Sequence, residues 1–143
     1  MTKRNLSAGK AEKIIYWIFT IWLAVGMLST GIVQLFKIKV GTGIGGVDNI
    51  IHLGYPVYVL TVLGIWKILG VVALLIPKFP LLKEWAYAGI FFTVTGALFS
   101  HIESGDSIKD IAPALLYLVL IAISWYFRPA SRKLKPATAI INQ

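Results

Sequence analysis

The sequence predicts an all-α integral membrane protein: a four-helix bundle with both termini cytoplasmic and a short outer interfacial helix between helices 1 and 2. Three observations predict it. Four apolar runs in the 143-residue chain approach or exceed the length needed to cross a hydrocarbon core of about 30 Å. Only 14% of the residues are charged and 57% are hydrophobic, whereas a soluble domain is about 25% charged. The basic residues fall mostly on alternate connections between the runs. The same composition, with a mean hydropathy of +0.78, excludes a disordered chain, a collagen and a solvated globule. Cysteine is absent, which removes disulfides, thiolate metal sites and cysteine nucleophiles.

Residues 1–13 read as a basic cytoplasmic N-terminus, and residues 14–127 as the transmembrane domain. Its first span, 14–36, has 23 residues without a charge. That exceeds the apolar stretch of a cleaved signal peptide, and no small-residue cleavage site follows it. The second span, 57–76, is broken only by Lys67. The third, 81–100, carries Lys83 and Glu84 near its start; the fourth, 110–127, opens on Asp110, a helix-capping residue type. Both are short, yet too apolar for loops. Residues 128–143 read as a basic cytoplasmic tail.

Four crossings place both termini and the second connection on one side. That side holds ten lysines and arginines, the other only Lys37, Lys39 and Lys109. By the positive-inside rule the ten face the cytoplasm, in a bacterial inner membrane. Tyr16, Trp17, Trp85, Tyr87, Trp125 and Tyr126 fall at the inner interface, with Tyr55 and Tyr58 at the outer one, as interfacial anchors do. The net charge of +8 is thus a topology signal and an attraction to anionic headgroups. No nucleic-acid partner is expected.

The outer connection 37–56 contains a literal G-x-G-x-x-G at residues 41–46. Without a strand before it and a βαβ unit around it, the motif is a flexible turn and not a dinucleotide site. Residues 48–56 read as a short helix capped by Asp48 and stopped by Gly54 and Pro56, covering the bundle mouth. Asp48 and His52 are four apart and share a helix face. The third connection, 101–110, adds His101 and Glu103. These four form an expected outer-mouth polar cluster. Lacking HExxH or a helical Glu-x-x-His pair, it reads as an acidic, hydrated mouth and not as a metal site.

Lys67 is the most informative residue. It lies ten residues into its span, about 15 Å from either end by helical rise. A lysine there costs about 2.5–3.5 kcal/mol to insert. The helix still inserts, but the ammonium needs a partner or water. Gly64 and Gly70 flank it; Trp22, Gly26, Thr30 and Gln34 form one stripe on the first span, and Gly89, Thr93, Gly96 and Ser100 another on the third. Such stripes permit close packing and hydroxyl bonds across helices. Thr30 and Thr93 match Lys67 in depth, and Trp66 offers an apolar wall. Glu84 is the carboxylate candidate from the inner side. The expected ligand-binding set is therefore Lys67, Thr93, Thr30, Gln34, Trp66 and Glu84.

Several stretches carry a family resemblance. They are Leu53-Gly54-Tyr55-Pro56, the segment from Leu63 through Trp66-Lys67 to Gly70, and Ala73 to Pro77. Leu82 to Gly89, Thr95-Gly96-Ala97, Ser100-His101 and Ser29-Thr30-Gly31 with Lys37 belong with them. Over residues 14–127 the chain resembles the DoxX-like membrane proteins. The resemblance implies a four-helix inner-membrane protein. The wider DoxX and DoxD group includes a small membrane subunit of thiosulfate:quinone oxidoreductase, and other members accompany redox-stress proteins. A family role that needs an internal thiol has no residue for it here.

The expected function is an accessory subunit that binds a lipophilic small molecule, a quinone for instance, for redox metabolism. The ammonium would donate to a quinone carbonyl and stabilise developing negative charge. The alternative is a non-enzymatic scaffold with a purely structural buried lysine. An autonomous enzyme is not expected, because no acid–base partner shares the depth of Lys67. The expected partners are the lipid bilayer, a membrane or periplasmic redox protein, and a second copy in a homodimer.

Overall fold

Long runs dominated by hydrophobic side chains leave helix as the backbone state that satisfies itself in lipid, and the single glycines and Pro113 within them do not break it. The structure, a computed structural model, describes residues 3–39 and 45–134, with side chains from residue 9 onward. All regular elements among them are helical: α1 (Lys3–Leu35), α2 (Val47–His52), α3 (Tyr58–Leu75), α4 (Pro80–Glu103), α5 (Ile108–Tyr126) and a 3-10 turn at Ala130–Arg132. The four long helices have the length and composition to cross a membrane, and the protein is a four-helix membrane bundle. Residues 41–44 of the glycine-rich stretch, the tail 135–143 and the side chains of Lys3 and Arg4 lie outside the described residues.

The helix ends differ from expectation in instructive ways. α1 begins eleven residues before the first uncharged run, because Ala and Lys around Glu12 are good helix formers. It ends at Leu35 and is closed by Lys37, whose φ of 52° takes the left-handed place usually given to glycine. Lys37 and Ile38 donate back to Gln34 and Val33, a Schellman cap. Gly54 (φ 79°) closes α2 and Gly105 (φ 71°) closes α4 with the same pattern of bonds. His101 is therefore a buried residue of the last turn of α4, not a loop residue. Asp48 lies within the first turn of α2, whose N-cap is Gly46. Ser107 is the N-cap of α5; its hydroxyl donates to Asp110 at 2.7 Å, so Asp110 sits one turn inside the helix.

The helices form a ring in which α1 lies between α3 and α5, and α4 closes the other side. One half is solid. Leu23, Met27, Leu74, Ile90, Leu120 and Ile121 are among the residues that fill it. Within it Ser124 shares bonds of 2.6 Å with Thr20 and with the Tyr87 hydroxyl, linking α1, α4 and α5. The outward faces remain apolar, with Trp22, Trp66 and Phe99 well exposed, which suits lipid. The closest approach is between α1 and α3 at Gly64. A Cβ there would stand 2.7 Å from the Leu35 nitrogen and 2.8 Å from the Gly31 carbonyl oxygen.

The basic end is built around the C-terminus of α3. Pro77 has no N–H, so the carbonyl of Ala73 loses its helical donor. Lys83, fully buried, supplies one: its Nζ donates to Ala73 O at 2.8 Å, to Leu74 O at 3.3 Å and to Ile76 O. Arg132 adds bonds to Leu74 O at 2.7 Å and Leu75 O at 3.2 Å, with its guanidinium over Trp17.

Two outcomes test this packing. Gly64→Ala pushes backbone against backbone and is expected to destabilise the bundle by about 1–3 kcal/mol, whereas Gly89→Ala, with open space around the new methyl, is tolerated. Lys83→Met takes the side-chain donor from the Ala73 and Ile76 carbonyls, while Leu74 O keeps Arg132, and is expected to cost at least about 2 kcal/mol. Thermal unfolding in mild detergent reads both.

Candidate functional site

The other half of the bundle is hollow. Beyond the packed core, toward the end that carries both histidines, the helices enclose a cavity of about 560 Å³. It exists because the facing side chains are small: Thr30 on α1, Thr93, Gly96, Ala97 and Ser100 on α4, and Ala114 on α5. Pro113 of α5 also lines it; lacking an N–H, it leaves the Lys109 carbonyl without its helical donor. Met27 marks the border with the core. Phe92 lines one wall yet is 70% exposed, so that wall reaches the lipid-facing side of α4.

Lys67 enters this cavity from α3. Gly31 lets α1 come close enough to cradle its stem, since a Cβ there would lie 3.2 Å from the Lys67 Cβ. The Lys67 Nζ donates to Thr30 Oγ1 at 3.3 Å, and the Thr30 hydroxyl donates in turn to Gly26 O at 2.9 Å. Among the described residues no carboxylate pairs with Lys67. The ammonium thus keeps N–H groups for something in the hollow. Tyr117 faces the same space, its hydroxyl resting where a side chain at Gly26 would be; a Cβ there would come within 2.1 Å of it.

The roof is α2 with the turn after it. Val47 and Ile50 pack on Leu60, Val57 and Val59, and Asn49, Ile50 and Leu53 face the cavity. Two polar contacts fasten the roof to α4 and its loop. The Tyr55 and Ser100 hydroxyls are 2.9 Å apart. One Asp106 oxygen accepts from His52 Nε2–H at 2.6 Å and the other accepts from His101 Nδ1–H at 2.6 Å. The Schellman cap at Gly105 creates this bridge, because Asp106 N–H donates to His101 O and so holds the carboxylate beside that ring. Hydrogen bonds from His101 and then His52 keep the Asp106 carboxyl below the ordinary aspartate value.

The structure brings together Lys67, Thr30, Gln34, Thr93 and His101 around the cavity. It does not bring Trp66 there; that ring is 67% exposed and faces outward. Glu84 lies at the opposite end, where it accepts from Arg128 Nη1 at 2.5 Å and from Trp125 Nε1 at 3.0 Å. Among the described residues neither Asp48 nor Glu103 pairs with a histidine; the partner of both rings is Asp106. Among the described residues no group of three or more His, Asp or Glu side chains is placed to hold a metal ion. Sequence reasoning missed Tyr117 and Asp106. The glycine at 105 was the available signal for Asp106; for Tyr117 it was the position, midway along the fourth span where the other five tyrosines fall at the interfaces.

The family model described as the DoxX-like family matches residues 18–124. The chain belongs to the DoxX-like family. No curated protein and no solved structure matches the chain. In this DoxX-like protein the matched interval takes in every cavity-lining residue and stops short of Arg128 and Arg132, which tie the basic end together.

The Asp106 bridge sets a pH expectation for the DoxX-like bundle. A carboxyl whose folded value is lowered contributes stability fully above the unfolded value of about 4 and loses it as pH falls through the folded value. Asp106→Asn is expected to lower the unfolding midpoint at pH 7, with the gap to the wild type closing as the pH drops below about 4. A gap that stays constant on acidification contradicts this role.

Proposed function

We propose that this DoxX-like protein is an accessory subunit of redox metabolism that holds a lipophilic small molecule, such as a quinone, in the cavity beside Lys67. The supporting observation is the ammonium itself: a partly buried Lys67 Nζ with a threonine hydroxyl as its bond, at a hollow otherwise lined largely by apolar groups. Ionisable groups inside membranes face cavities or partners and mark function. A carbonyl oxygen would accept from Nζ, and the charge would stabilise electron density developing on it. Orientation follows the positive-inside rule, with both termini cytoplasmic, the cavity toward the outer leaflet of a bacterial inner membrane, and a membrane or periplasmic protein as redox partner.

The competing reading is a scaffold in which Lys67 only fixes α1 against α3; the Gly31–Gly64 approach and the Thr30 bond favour it. Purification in mild detergent, solvent extraction and mass analysis separate the two. The binding reading expects a co-purifying apolar compound, reduced about tenfold or more in Lys67→Met, the equivalent of losing a hydrogen bond to a charged group. A variant that is folded, equally loaded or more stable supports the scaffold, as replacement of buried charge often stabilises.

A further inference from the structure

Lys67 brings a positive charge to the hollow, and no negative charge pairs with it there. Its hydrogen bond among the described residues goes to the Thr30 hydroxyl at 3.3 Å, a neutral group that already serves Gly26 O. The three ion pairs among the described residues lie elsewhere, two at the mouth around Asp106 and one at the basic end between Arg128 and Glu84. The other titratable side chains that line the cavity are His101, Asp110, Tyr55 and Tyr117. His101 is engaged by Asp106. Asp110 accepts from Ser107 at the start of α5, about 10 Å along the helix from Tyr117 by helical rise, and makes no ion pair with Lys67. The two tyrosines are neutral near pH 7. A charge taken out of water needs an opposite charge or water beside it, and charged groups inside membranes are found paired or hydrated for that reason.

We infer that the occupant of the cavity brings the missing charge with it: an apolar molecule whose head is an oxyanion, paired with Lys67 Nζ. This rests on the cavity being a ligand site and names the class of ligand that the site selects. A neutral head, a carbonyl included, accepts a hydrogen bond from Nζ but leaves the charge uncompensated. An oxyanion accepts the same bond and neutralises the charge, and such bonds are shorter and stronger than neutral ones. The lining suits the remainder of an amphiphile. Met27, Ile50, Val59 and Leu63 offer apolar walls, and along the wall at Phe92, which reaches the lipid-facing side of α4, a tail extends toward the acyl chains. Two sources carry that chemistry: a long-chain carboxylate released from lipid, and an acidic quinone whose ring hydroxyl is ionised.

The test uses the purified full chain in mild detergent, at a pH of about 7.5 where carboxylic acids are ionised, with two matched pairs of probes. One pair is oleate and methyl oleate. The other is lapachol, a prenylated hydroxynaphthoquinone that is an anion under these conditions, and its analogue with a methyl group in place of the hydroxyl. Each is titrated calorimetrically, with the heat of transfer into protein-free micelles subtracted. The anion is expected to bind about tenfold more tightly than its neutral twin, the effect of one charge-assisted hydrogen bond. Lys67→Met is expected to erase that preference by weakening the anion alone, while Lys67→Arg, which keeps the charge, retains it. Unfolding midpoints confirm that both variants are folded. A preference confined to the oleate pair assigns the source to lipid, and one confined to the naphthoquinone pair assigns it to a quinone. Equal affinity within both pairs, or a preference that survives in Lys67→Met, overturns the anion rule and leaves the ligand site standing. Failure of all four probes to bind overturns both.

Discussion

Hydrocarbon offers no hydrogen bond, so every polar group that enters it must find its partner within the protein. The architecture of this bundle follows from where that requirement is hard to meet. At the end of α3 a proline removes a donor, and a buried lysine from α4 and an arginine from beyond α5 supply replacements. At the ends of α1, α2 and α4, left-handed residues fold the backbone back on itself so that its own N–H groups close the last turn. At mid-depth Lys67 leans on a threonine whose hydroxyl already serves a carbonyl. Each solution is local, and together they hold four helices at fixed angles and depths.

The same requirement divides the molecule in two. The basic half has a packed interior, with charges and aromatic rings interlocked around Arg128, Arg132 and Lys83 and a chain of hydroxyls joining Thr20, Ser124 and Tyr87; its cavity, of about 540 Å³, opens at the end of the bundle beside Glu84 and Arg128. The histidine half has small side chains at the same lateral positions, and the space they leave is not refilled. Glycine at 31 and 64 lets α1 and α3 touch there, whereas α4 and α5 stand off with Thr93, Gly96 and Ala114 between them and the axis. Lys67 sits at the boundary of the two halves, where solid packing gives way to open volume.

Much of the fold was legible in the sequence. Spans of this length and hydrophobicity admit one backbone solution in lipid, so the four crossings and the short helix over the mouth could be read directly. Lys67, Thr30, Gln34 and Thr93 stood out because polar residues on an apolar helix are few. The pairings were harder to read. Asp48 and His52 looked like partners by helical spacing, but His52 reaches instead to Asp106, fifty-four residues away, because the turn at Gly105 swings that carboxylate back over α4. Glu84 looked available to the site because its side chain was charged near a span; its guanidinium partner, Arg128, comes from past the end of α5, and no spacing rule connects the two. Tyr117 stood apart by its position midway along the fourth span, yet no spacing rule shows that Gly26 makes room for it.

The tethered roof and the wall at Phe92 differ in what they border. His52–Asp106 and Tyr55–Ser100 pin α2 across the polar mouth, whereas Phe92 fronts acyl chains. For any apolar solute the bilayer then acts as reservoir and antechamber, and filling of the hollow tracks the solute's mole fraction among lipids and not its concentration in water. Modest intrinsic attraction suffices under those conditions, because partitioning has already gathered the molecule at the doorway.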